Sequence, residues 1–363
     1  MNARLQSGPS SRSFLLTNWI TASSSGADVV QDSDGWLELP SFNDFTAFVE
    51  VSQISNPTGG YVLLYLETAP FPDEATFLAQ PVAGPIVCAP SSAPYVAKTA
   101  SGGRTPLCRY VRWRVHGTTV NPWSVTFRIR LVANRARYFA PTDLGGCLVW
   151  LRADLGVTFT GTAASAWADQ SGTAHDASQA TGANQPTFSA TAMNGFPAIV
   201  GDGATRYMKT AAFTIGSAAT LIAAVQPAGT MTSYARILEQ QYNATYFLGL
   251  DTTQAHYKLI VDNAVAPYGA AHGGTVTNGA NAIVTGVYSS PTGTLYVNGS
   301  AVGSDSFTAP GASSLPLWIM QAFSGNALWN GYLAEAIVFN RALTSAELAR
   351  VHRYLGNRYG VPM

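Results

Sequence analysis

The end of the chain, residues 332–361, restricts the fold more than any other segment. Residues 333–339 are rich in β-forming side chains and predict a strand. After a short turn, Thr344 and Glu347 have the T-x-x-E spacing of a helix capping box. The residues that follow repeat at helical spacing, which predicts an amphipathic helix docked on a sheet. Its apolar stripe is Leu348, Val351 and Leu355, and Arg350 and Arg353 are predicted to face water.

Five further motifs precede this segment. They are residues 147–154 (CLVWLRAD), 167–172 (WADQSG), 176–187 (DASQATGANQPT), 194–203 (NGFPAIVGDG) and 295–302 (LYVNGSAV). In the last motif, Asn298 and Gly299 suit the two central positions of a type I′ hairpin turn.

Taken in order, these motifs and the C-terminal helix resemble the laminin-G-like, concanavalin-A-like lectin domains of bacterial and phage proteins. The resemblance covers the chain from about Leu144 to its end. It implies a concanavalin-A-like β-sandwich with a short C-terminal helix and a lectin-like, glycan-binding role. The resemblance is specific for the fold and not for the ligand, because one fold can carry many functions.

The composition predicts an all-β protein of two tandem domains. A chain of 363 residues has room for two hydrophobic cores, and its 34 Gly and 20 Pro indicate many turns. Short strands are predicted in the first half at 36–39, 45–51, 61–68, 110–116 and 124–132. We therefore expect an N-terminal, jelly-roll-like β-sandwich at 1–137 that attaches to a particle, a linker at 138–146 and a concanavalin-A-like domain at 147–363.

Charge and hydropathy argue against several classes of partner. Only 11% of residues are charged and the formal net charge is zero, so no overall field attracts nucleic acid. No apolar run is long enough to span a bilayer, and the N-terminal residues make a poor signal peptide. Cys88 and Cys108 either form a disulfide or remain free thiols, and the second alternative is favoured because no export signal is evident.

Four arginines suggest a docking surface in the first domain. Residues 110–116 and 124–132 alternate strictly, and pairing of these two strands would place the arginines together on one outer face. Such a face suits an acidic partner subunit or a phosphorylated glycan. The alternative is a solvated face that blocks edge aggregation. The four residues are Arg112, Arg114, Arg128 and Arg130.

Glycosidases with this type of sandwich need two carboxylates about 5 to 10 Å apart. The second domain has only three glutamates, and none is closely followed by an aspartate, which disfavours an enzyme. Alternation places Glu335 on one strand face with Leu333, Ile337 and Phe339. This glutamate is either a calcium ligand or catalytic acid, or a structural carboxylate bonded to nearby backbone or to the turn at Asn340 and Arg341.

The motif loops contain the candidate ligand-binding residues. Relatives often bind calcium at the rim of the sandwich, which makes Asp169 and Asp202 candidate metal ligands. The loop after Asp202 lacks further acids, so no cofactor is the leading expectation, with calcium as the alternative. Asp202, Arg206 and Tyr207, with Asp169, are the candidate sugar contacts, since they combine hydrogen-bonding groups with an aromatic face. The alternative for Asp202 is an ordinary Asx turn.

We expect a non-enzymatic protein on the surface of a bacteriophage virion. The basis is low charge, dense β-structure without paired carboxylates, and an extracellular-type domain in a chain without a readable export signal. Capsid decoration or attachment to the head is favoured, with the major capsid protein or other virion proteins as partners, a homo-oligomeric assembly and a cell-surface glycan as ligand. The alternatives are a tail adhesin that binds the receptor and a secreted bacterial carbohydrate-binding protein.

Overall fold

The computed structural model describes residues 11–56, 60–78, 81–88, 93–102, 105–118, 121–134, 139–160, 163–241, 245–261, 269–311 and 313–363. Within these residues the chain is built from strands and one C-terminal α-helix. It divides into two compact units, Met1–Tyr138 and Phe139–Met363. The predicted boundary at 137/138 lies outside the described residues. From residue 139 onward, the stretch predicted as a linker is part of the second unit, where Leu144 packs in a buried cluster.

The first unit is a sandwich of two antiparallel sheets. One sheet has the order β1-β9-β4-β7, and the other has the order β2-β8-β5-β6 with β3 also paired to β8. Strands β4 and β9 alternate between buried and partly exposed residues, so one face of each strand lines the core between the sheets. The strands are β1 (Ser11–Ser24), β2 (Val29–Val30), β3 (Leu37–Glu38), β4 (Asp44–Ser55), β5 (Val62–Ala69), β6 (Ala83–Cys88), β7 (Tyr95–Ala100), β8 (Tyr110–Gly117) and β9 (Trp123–Asn134).

The predicted pairing of the two arginine-rich strands is wrong. Strand β8 pairs with β2, β3 and β5, whereas β9 pairs with β1 and β4 in the opposite sheet. Both strands turn their apolar residues toward the shared core, so their arginines point away from it on opposite sides of the sandwich. Identical alternation in two strands therefore reflects two sheets facing one core, and not one two-stranded surface.

The second unit also has two layers of sheet. Its strands are β10 (Cys147–Arg152), β11 (Val157–Thr160), β12 (Ala163–Trp167), β13 (Ala177–Ser178), β14 (Thr187–Met193), β15 (Phe196–Asp202), β16 (Met208–Phe213), β17 (Ala219–Pro227), β18 (Arg236–Glu239), β19 (Tyr246–Leu250), β20 (His256–Val261), β21 (Ala271–Thr275), β22 (Ala282–Ser289), β23 (Thr292–Val297), β24 (Ser300–Ser306), β25 (Leu315–Ile319) and β26 (Asn330–Phe339). Helix α1 spans Ser345–Tyr359. The largest core cluster lies between the two layers.

One layer, the helix-bearing sheet, is centred on β26, which pairs with β17 on one side and with β10 and β15 on the other. It continues from β17 through β22, β23 and β24. The other layer, the open sheet, has the order β13-β16-β25-β18-β19-β20-β21. The predicted hairpin is present between β23 and β24, where Asn298 and Gly299 have φ values of 50° and 79° as a type I′ turn requires.

The C-terminal helix forms as predicted and covers the helix-bearing sheet. Thr344 caps the helix and exchanges hydrogen bonds with Glu347, while Gly360 ends it in the left-handed conformation. Arg341 forms a two-pronged pair with Glu347 and lowers the pKa of this carboxyl to about 2. The predicted apolar stripe is buried with strand residues of the sheet, namely Ile222, Ile283, Ile337 and Phe339. Arg350 and Arg353 are exposed. No helix among the described residues has the length and apolar character needed to cross a membrane.

A β-bulge places Leu333 and Glu335 on opposite faces of β26. In the pairing of β17 with β26, Ala224 faces Glu335 and Val225 faces Leu333, which leaves Ala334 as an extra residue. Leu333 therefore packs between the two sheets, whereas Ile337 packs toward the helix with Ala334. The predicted placement of Leu333 on the same face as Glu335 is wrong, since simple alternation ignores the extra residue.

A largely buried polar network connects the helix to the sheet through Glu335. Its carboxylate accepts hydrogen bonds from Trp150 Nε1 at 2.5 Å, Tyr354 Oη at 2.9 Å and Tyr359 Oη at 2.7 Å. These partners differ from the predicted turn at Asn340 and Arg341. Burial, together with the charge of Glu335, raises the pKa of Tyr359 well above its usual range, so this phenol stays a donor. The carboxylate thus has a structural role.

Two buried arginines extend the network from Glu335 to Asp154. Arg358 on the helix lies 3.6 Å from Glu335 and also contacts Asp154. Arg152 binds the same aspartate through Nε at 2.9 Å and Nη2 at 2.8 Å. Burial opposes ionisation of Asp154, but the two guanidinium groups hold its pKa well below its usual range. Two positive and two negative charges therefore balance one another beneath the helix.

Replacement of Arg358 by methionine should destabilise the second unit strongly. The variant leaves two buried carboxylates facing one arginine, and breaking a buried ion pair in this way costs about 3–5 kcal/mol. Urea unfolding followed by tryptophan fluorescence measures the change in the free energy of unfolding. The matched control is Arg353→Met, an exposed position on the same helix, which should change that free energy by less than about 0.5 kcal/mol. Equal losses in the two variants would contradict the account.

His352 should make stability depend on pH. This side chain is 4% exposed, its Nε2 lies 3.0 Å from Thr285 Oγ1, and burial lowers its pKa to about 4. An unfolded histidine has a pKa of about 6.5. Below that pH the unfolded state binds a proton at His352, whereas the folded state does not bind one until the pH is near 4. The free energy of unfolding is therefore highest above pH 6.5, and it falls by about 3 kcal/mol as the pH drops to 4.

The pH dependence can be tested with His352→Gln, whose amide can still bond Thr285 but does not titrate. Unfolding free energies of both proteins at pH 7.5, 6.5, 5.5 and 4.5 give the two slopes. The variant should lose most of the slope between pH 6.5 and 4.5, whatever its stability at pH 7.5. An unchanged slope would assign the pH dependence to other groups.

Candidate functional site

The carboxylate of Asp202 builds the turn that follows β15. Its Oδ1 accepts hydrogen bonds from the backbone N–H groups of Ala204 at 2.9 Å, Thr205 at 2.8 Å and Arg206 at 3.0 Å. Its Oδ2 accepts from Thr205 Oγ1 at 2.7 Å. Burial opposes ionisation, but these donors hold the pKa of Asp202 well below its usual range. The carboxylate is therefore used to fix a turn that presents Arg206 and Tyr207.

Tyr207 lies beside Trp318, and the two rings form an aromatic platform on the open sheet. Their centroids are 5.6 Å apart with a tilt of 36° between the planes. Lys209 and Trp318 are directly opposite on β16 and β25, and the Lys209 amine lies 4.9 Å from the indole ring. Both rings remain partly exposed and Lys209 is exposed, because alternation turns Trp318 away from the buried Leu317 and Ile319.

The row of side chains across the open sheet continues from Trp318 to Glu239 and Phe247. Cross-strand pairing places these three residues on one face. Arg236 stacks on Phe247 with its guanidinium carbon 3.7 Å from the ring centroid, and it forms a buried ion pair with Glu239. The other oxygen of Glu239 accepts from the backbone N–H of Phe323 at 3.2 Å. The carboxylate of Glu239 therefore connects Arg236 on β18 to the backbone of the surface segment that contains Phe323.

The predicted residue Asp169 is completely buried near the start of the second unit. Its carboxylate accepts from Trp150 N at 2.8 Å, Ser171 N at 2.9 Å, Ser171 Oγ at 2.6 Å and His175 N at 3.1 Å. Asp169 N donates in turn to Asp176 Oδ1 at 2.7 Å. Burial and these bonds give Asp169 the role of holding the 167–176 loop against β10.

Calcium does not fit the two predicted metal ligands. The carboxylates of Asp169 and Asp202 already accept bonds from protein N–H and O–H groups, which leaves them poorly placed to supply the several oxygens that calcium takes. Across the part of the chain that the structure describes, no group of three or more His, Cys, Asp or Glu side chains is arranged to hold a metal ion.

The four predicted docking arginines are divided between two faces of the first unit. On β8, Arg112 is 5% exposed and pairs with Glu67 and Glu74. Arg114 pairs with Glu67 and Asp28. These carboxylates neutralise the arginine face that the sequence predicts. They were missed because they come from β5, from a 3-10 helix and from the loop between β1 and β2.

Arg128 and Arg130 lie on the opposite face, where they share Glu50. They border a groove of about 540 Å³ on the sheet of β1, β9, β4 and β7. The groove is also lined by apolar side chains, and Arg128 stacks on the half-exposed Trp19 with 4.9 Å between guanidinium carbon and ring centroid. Its apolar lining includes Leu15, Phe48 and Val96. Such a mixed apolar and basic surface has the composition of a protein interface.

The three cysteines are free thiols. Burial, opposed by a hydrogen bond with Tyr95, raises the pKa of Cys88 to about 12, so its thiolate is not accessible near neutral pH.

Part of the second unit matches a known protein family. Residues 202–349 match a laminin-G-type family described as the concanavalin A-like lectin/glucanases superfamily. The second unit contains a concanavalin A-like domain. The matched residues include the Asp202 turn, the aromatic platform and the first turn of helix α1. No curated protein has a significantly similar sequence.

Several solved structures resemble the chain at low identity. The binding domain of Paraclostridial Mosquitocidal Protein 1 is 12% identical, with a TM-score of 0.44 over 58% of this chain and 52% of that one. Domain 4 of AbnA, an extracellular arabinanase from Geobacillus stearothermophilus, is 11% identical, with a TM-score of 0.44 over 57% of this chain and 98% of that domain. Trypanosoma rangeli sialidase is 14% identical, with a TM-score of 0.42 over 68% of this chain and 43% of the sialidase. The chain thus spans about half the length of the toxin domain and of the sialidase.

Of the two aromatic residues of the platform, the sequence pointed to Tyr207 and not to Trp318. The motif around Asp202 identified Arg206 and Tyr207, and the structure brings both close to the turn that Asp202 holds. Trp318 and Lys209 were missed, although the pattern LPLWIM at 315–320 alternates and exposes Trp318 opposite its apolar neighbours. Asp169 does not belong to the platform.

Proposed function

We propose that the second unit binds carbohydrate on the aromatic platform. The observation that carries this proposal is the partly exposed Tyr207–Trp318 pair, flanked by Lys209 and Arg206. A sugar ring offers a weakly polar C–H face that stacks on aromatic rings, and its hydroxyl groups bond to polar side chains beside them. Arg206 Nη1 already donates to Thr187 Oγ1 at 3.0 Å, which holds the guanidinium at the platform edge.

We propose that this binding is not accompanied by hydrolysis. The two buried glutamates of the second unit lie on different sheets, Glu239 in the open sheet and Glu335 in the helix-bearing sheet. Each is occupied by several donors, and Glu347 caps the helix. A glycosidase requires two carboxylates facing the same bond, which these positions do not supply.

The chain would act on the surface of a virion, as a capsid decoration or head-attached protein. The first unit supports this proposal through its groove, where Arg128 and Arg130 lie among exposed apolar side chains suited to a capsid or other virion protein. Many copies on one particle, or a homo-oligomer, would turn weak sugar binding into strong attachment. A tail adhesin and a secreted bacterial carbohydrate-binding protein are the competing locations.

Removal of the platform should abolish glycan binding without unfolding the protein. The wild-type chain is first tested on an array of bacterial and animal cell-surface oligosaccharides, and the best ligand is then titrated by calorimetry. Trp318→Ala and Tyr207→Ala should each lower the affinity at least about tenfold, because each removes a stacking surface.

The matched control for these variants is Phe71→Ala, which removes an exposed ring of the first unit that is 64% exposed. It should leave the affinity unchanged. Circular dichroism confirms that all variants remain folded. Full binding by Trp318→Ala would move the sugar site elsewhere, and hydrolysis of any array ligand by the wild type would contradict the non-enzymatic proposal.

The location on a virion predicts that the chain sediments with particles. An antibody against the chain is applied to density-gradient fractions of a lysed source culture, and positive fractions are imaged by electron microscopy with gold-labelled antibody. The chain should occur with intact particles, and the label should lie on heads. Label on tail tips would favour the adhesin. Chain found only in particle-free fractions would contradict the virion proposal and favour the secreted protein.

A further inference from the structure

The chain has only three lysines, Lys98, Lys209 and Lys258. Each places its amine over an aromatic ring: Lys98 over Phe48 in the first unit, Lys209 over Trp318 and Lys258 over Tyr234 in the second. Both lysines of the second unit therefore lie on the open sheet. Only three of the 20 basic residues are lysines, and two of these three lie on one face of the second unit.

The partly exposed Lys258 and the exposed Tyr234 form a second pair on the same face as the platform. Lys258 is directly opposite Gly249, and Gly249 is opposite Arg236, so Lys258 shares a face with the residue that stacks on Phe247. The Lys258 amine lies 5.2 Å from the ring centroid of Tyr234, which is 38% exposed.

Tyr234 is held in an unusual conformation. Its φ is +59°, a value that bulky residues rarely adopt. Its backbone N–H donates to Asp251 O at 3.3 Å, and its carbonyl accepts from Arg236 Nη1. The surrounding structure thus keeps the phenol ring in place beside Lys258.

The acids near both pairs are already satisfied. Asp202 accepts from three backbone N–H groups, and Glu239 is bound by Arg236 and Phe323 N. Asp251 accepts from Thr253, Ala255 N and His256. By contrast, Lys209 and Lys258 have no carboxylate within salt-bridge distance among the described residues. Two unpaired positive charges therefore accompany the two aromatic surfaces.

The two lysine–aromatic pairs are close enough for a single oligosaccharide to contact both. Trp318 is opposite Glu239, and Tyr234 precedes Glu239 by five residues. At about 3.3 Å per residue, the separation along the strand direction is at most about 17 Å. This length suits an oligosaccharide of a few units, with Arg236 and the Phe323 segment between its ends.

We propose that the open sheet binds an acidic oligosaccharide through two subsites, Trp318 with Lys209 and Tyr234 with Lys258. Each lysine pairs with a carboxylate of the sugar while the adjacent ring stacks on its apolar face. The inference rests on the proposed glycan-binding function and specifies its ligand class. It also adds a second subsite that lies outside the motif residues.

The test compares acidic sugars with matched neutral ones. Oligogalacturonate, alginate, hyaluronan and colominic acid are arrayed, each beside its carboxyl-reduced form. The wild-type chain should bind at least one acidic form about tenfold more tightly than the reduced form in 50 mM salt, with the difference shrinking in 500 mM salt. Lys209→Met and Lys258→Met should each weaken binding of the acidic form about threefold to tenfold.

Two controls separate charge from folding. Lys98→Met removes the lysine stacked on a ring in the first unit and should leave binding unchanged. Lys258→Arg keeps the positive charge and should retain most of the affinity that Lys258→Met loses. The same lysines provide a chemical readout, since bound acidic sugar should protect Lys209 and Lys258 from acetylation while Lys98 reacts normally.

The outcomes distinguish this inference from the proposed function. Equal binding of acidic and reduced forms would overturn the acidic ligand and leave glycan binding intact. Sensitivity to Lys209→Met without sensitivity to Lys258→Met would overturn the second subsite. Absence of binding to every sugar of both arrays would overturn the inference together with the proposed function.

Discussion

The second unit depends on the charge balance buried beneath helix α1. Glu335 and Asp154 on the sheet side face Arg152 and Arg358, and Trp150 and two tyrosines complete the hydrogen bonds. Buried ions are tolerated only when they are paired and bonded in this way. Arg358, Tyr354 and Tyr359 reach these carboxylates from the helix, so the network ties the helix to β26. Because β26 pairs with β10, β15 and β17, the network lies at the centre of the helix-bearing sheet.

This arrangement leaves the two sheets of the second unit with different tasks. The helix covers the outer side of one sheet and buries its apolar residues. The open sheet keeps aromatic and basic side chains at its surface, and its acids are occupied in turns and ion pairs. In the proposed function, the helix-bearing half supports the face to which the ligand binds, and strands are elements that position binding residues well.

Local patterns predicted the elements well and their long-range pairing poorly. The capping box, the apolar stripe and the type I′ turn were predicted because each is decided by neighbours in sequence. The pairing of β8 with β9 was wrong because alternation reports that one face is buried, and not which strand lies alongside. The face of Leu333 was wrong because a single extra residue, Ala334, reverses the alternation.

The residues of the candidate site were likewise predicted where they are close in sequence and missed where long-range strand pairing brings them together. Asp202, Arg206 and Tyr207 are close in sequence and were found together, whereas Trp318 lies more than a hundred residues away and reaches Tyr207 only through the pairing of β16 with β25. The ion pairs of Arg112 and Arg114 were missed for that reason too. Their acidic partners come from segments far along the chain.

A crystal structure of the chain with a bound oligosaccharide would show directly whether the sugar lies on the aromatic platform. We expect electron density for a sugar ring stacked on Trp318 and bordered by Tyr207, on the outer face of the open sheet. Density for the sugar at the loops around Asp169, or on the helix-bearing sheet, with Trp318 left bare would contradict this expectation.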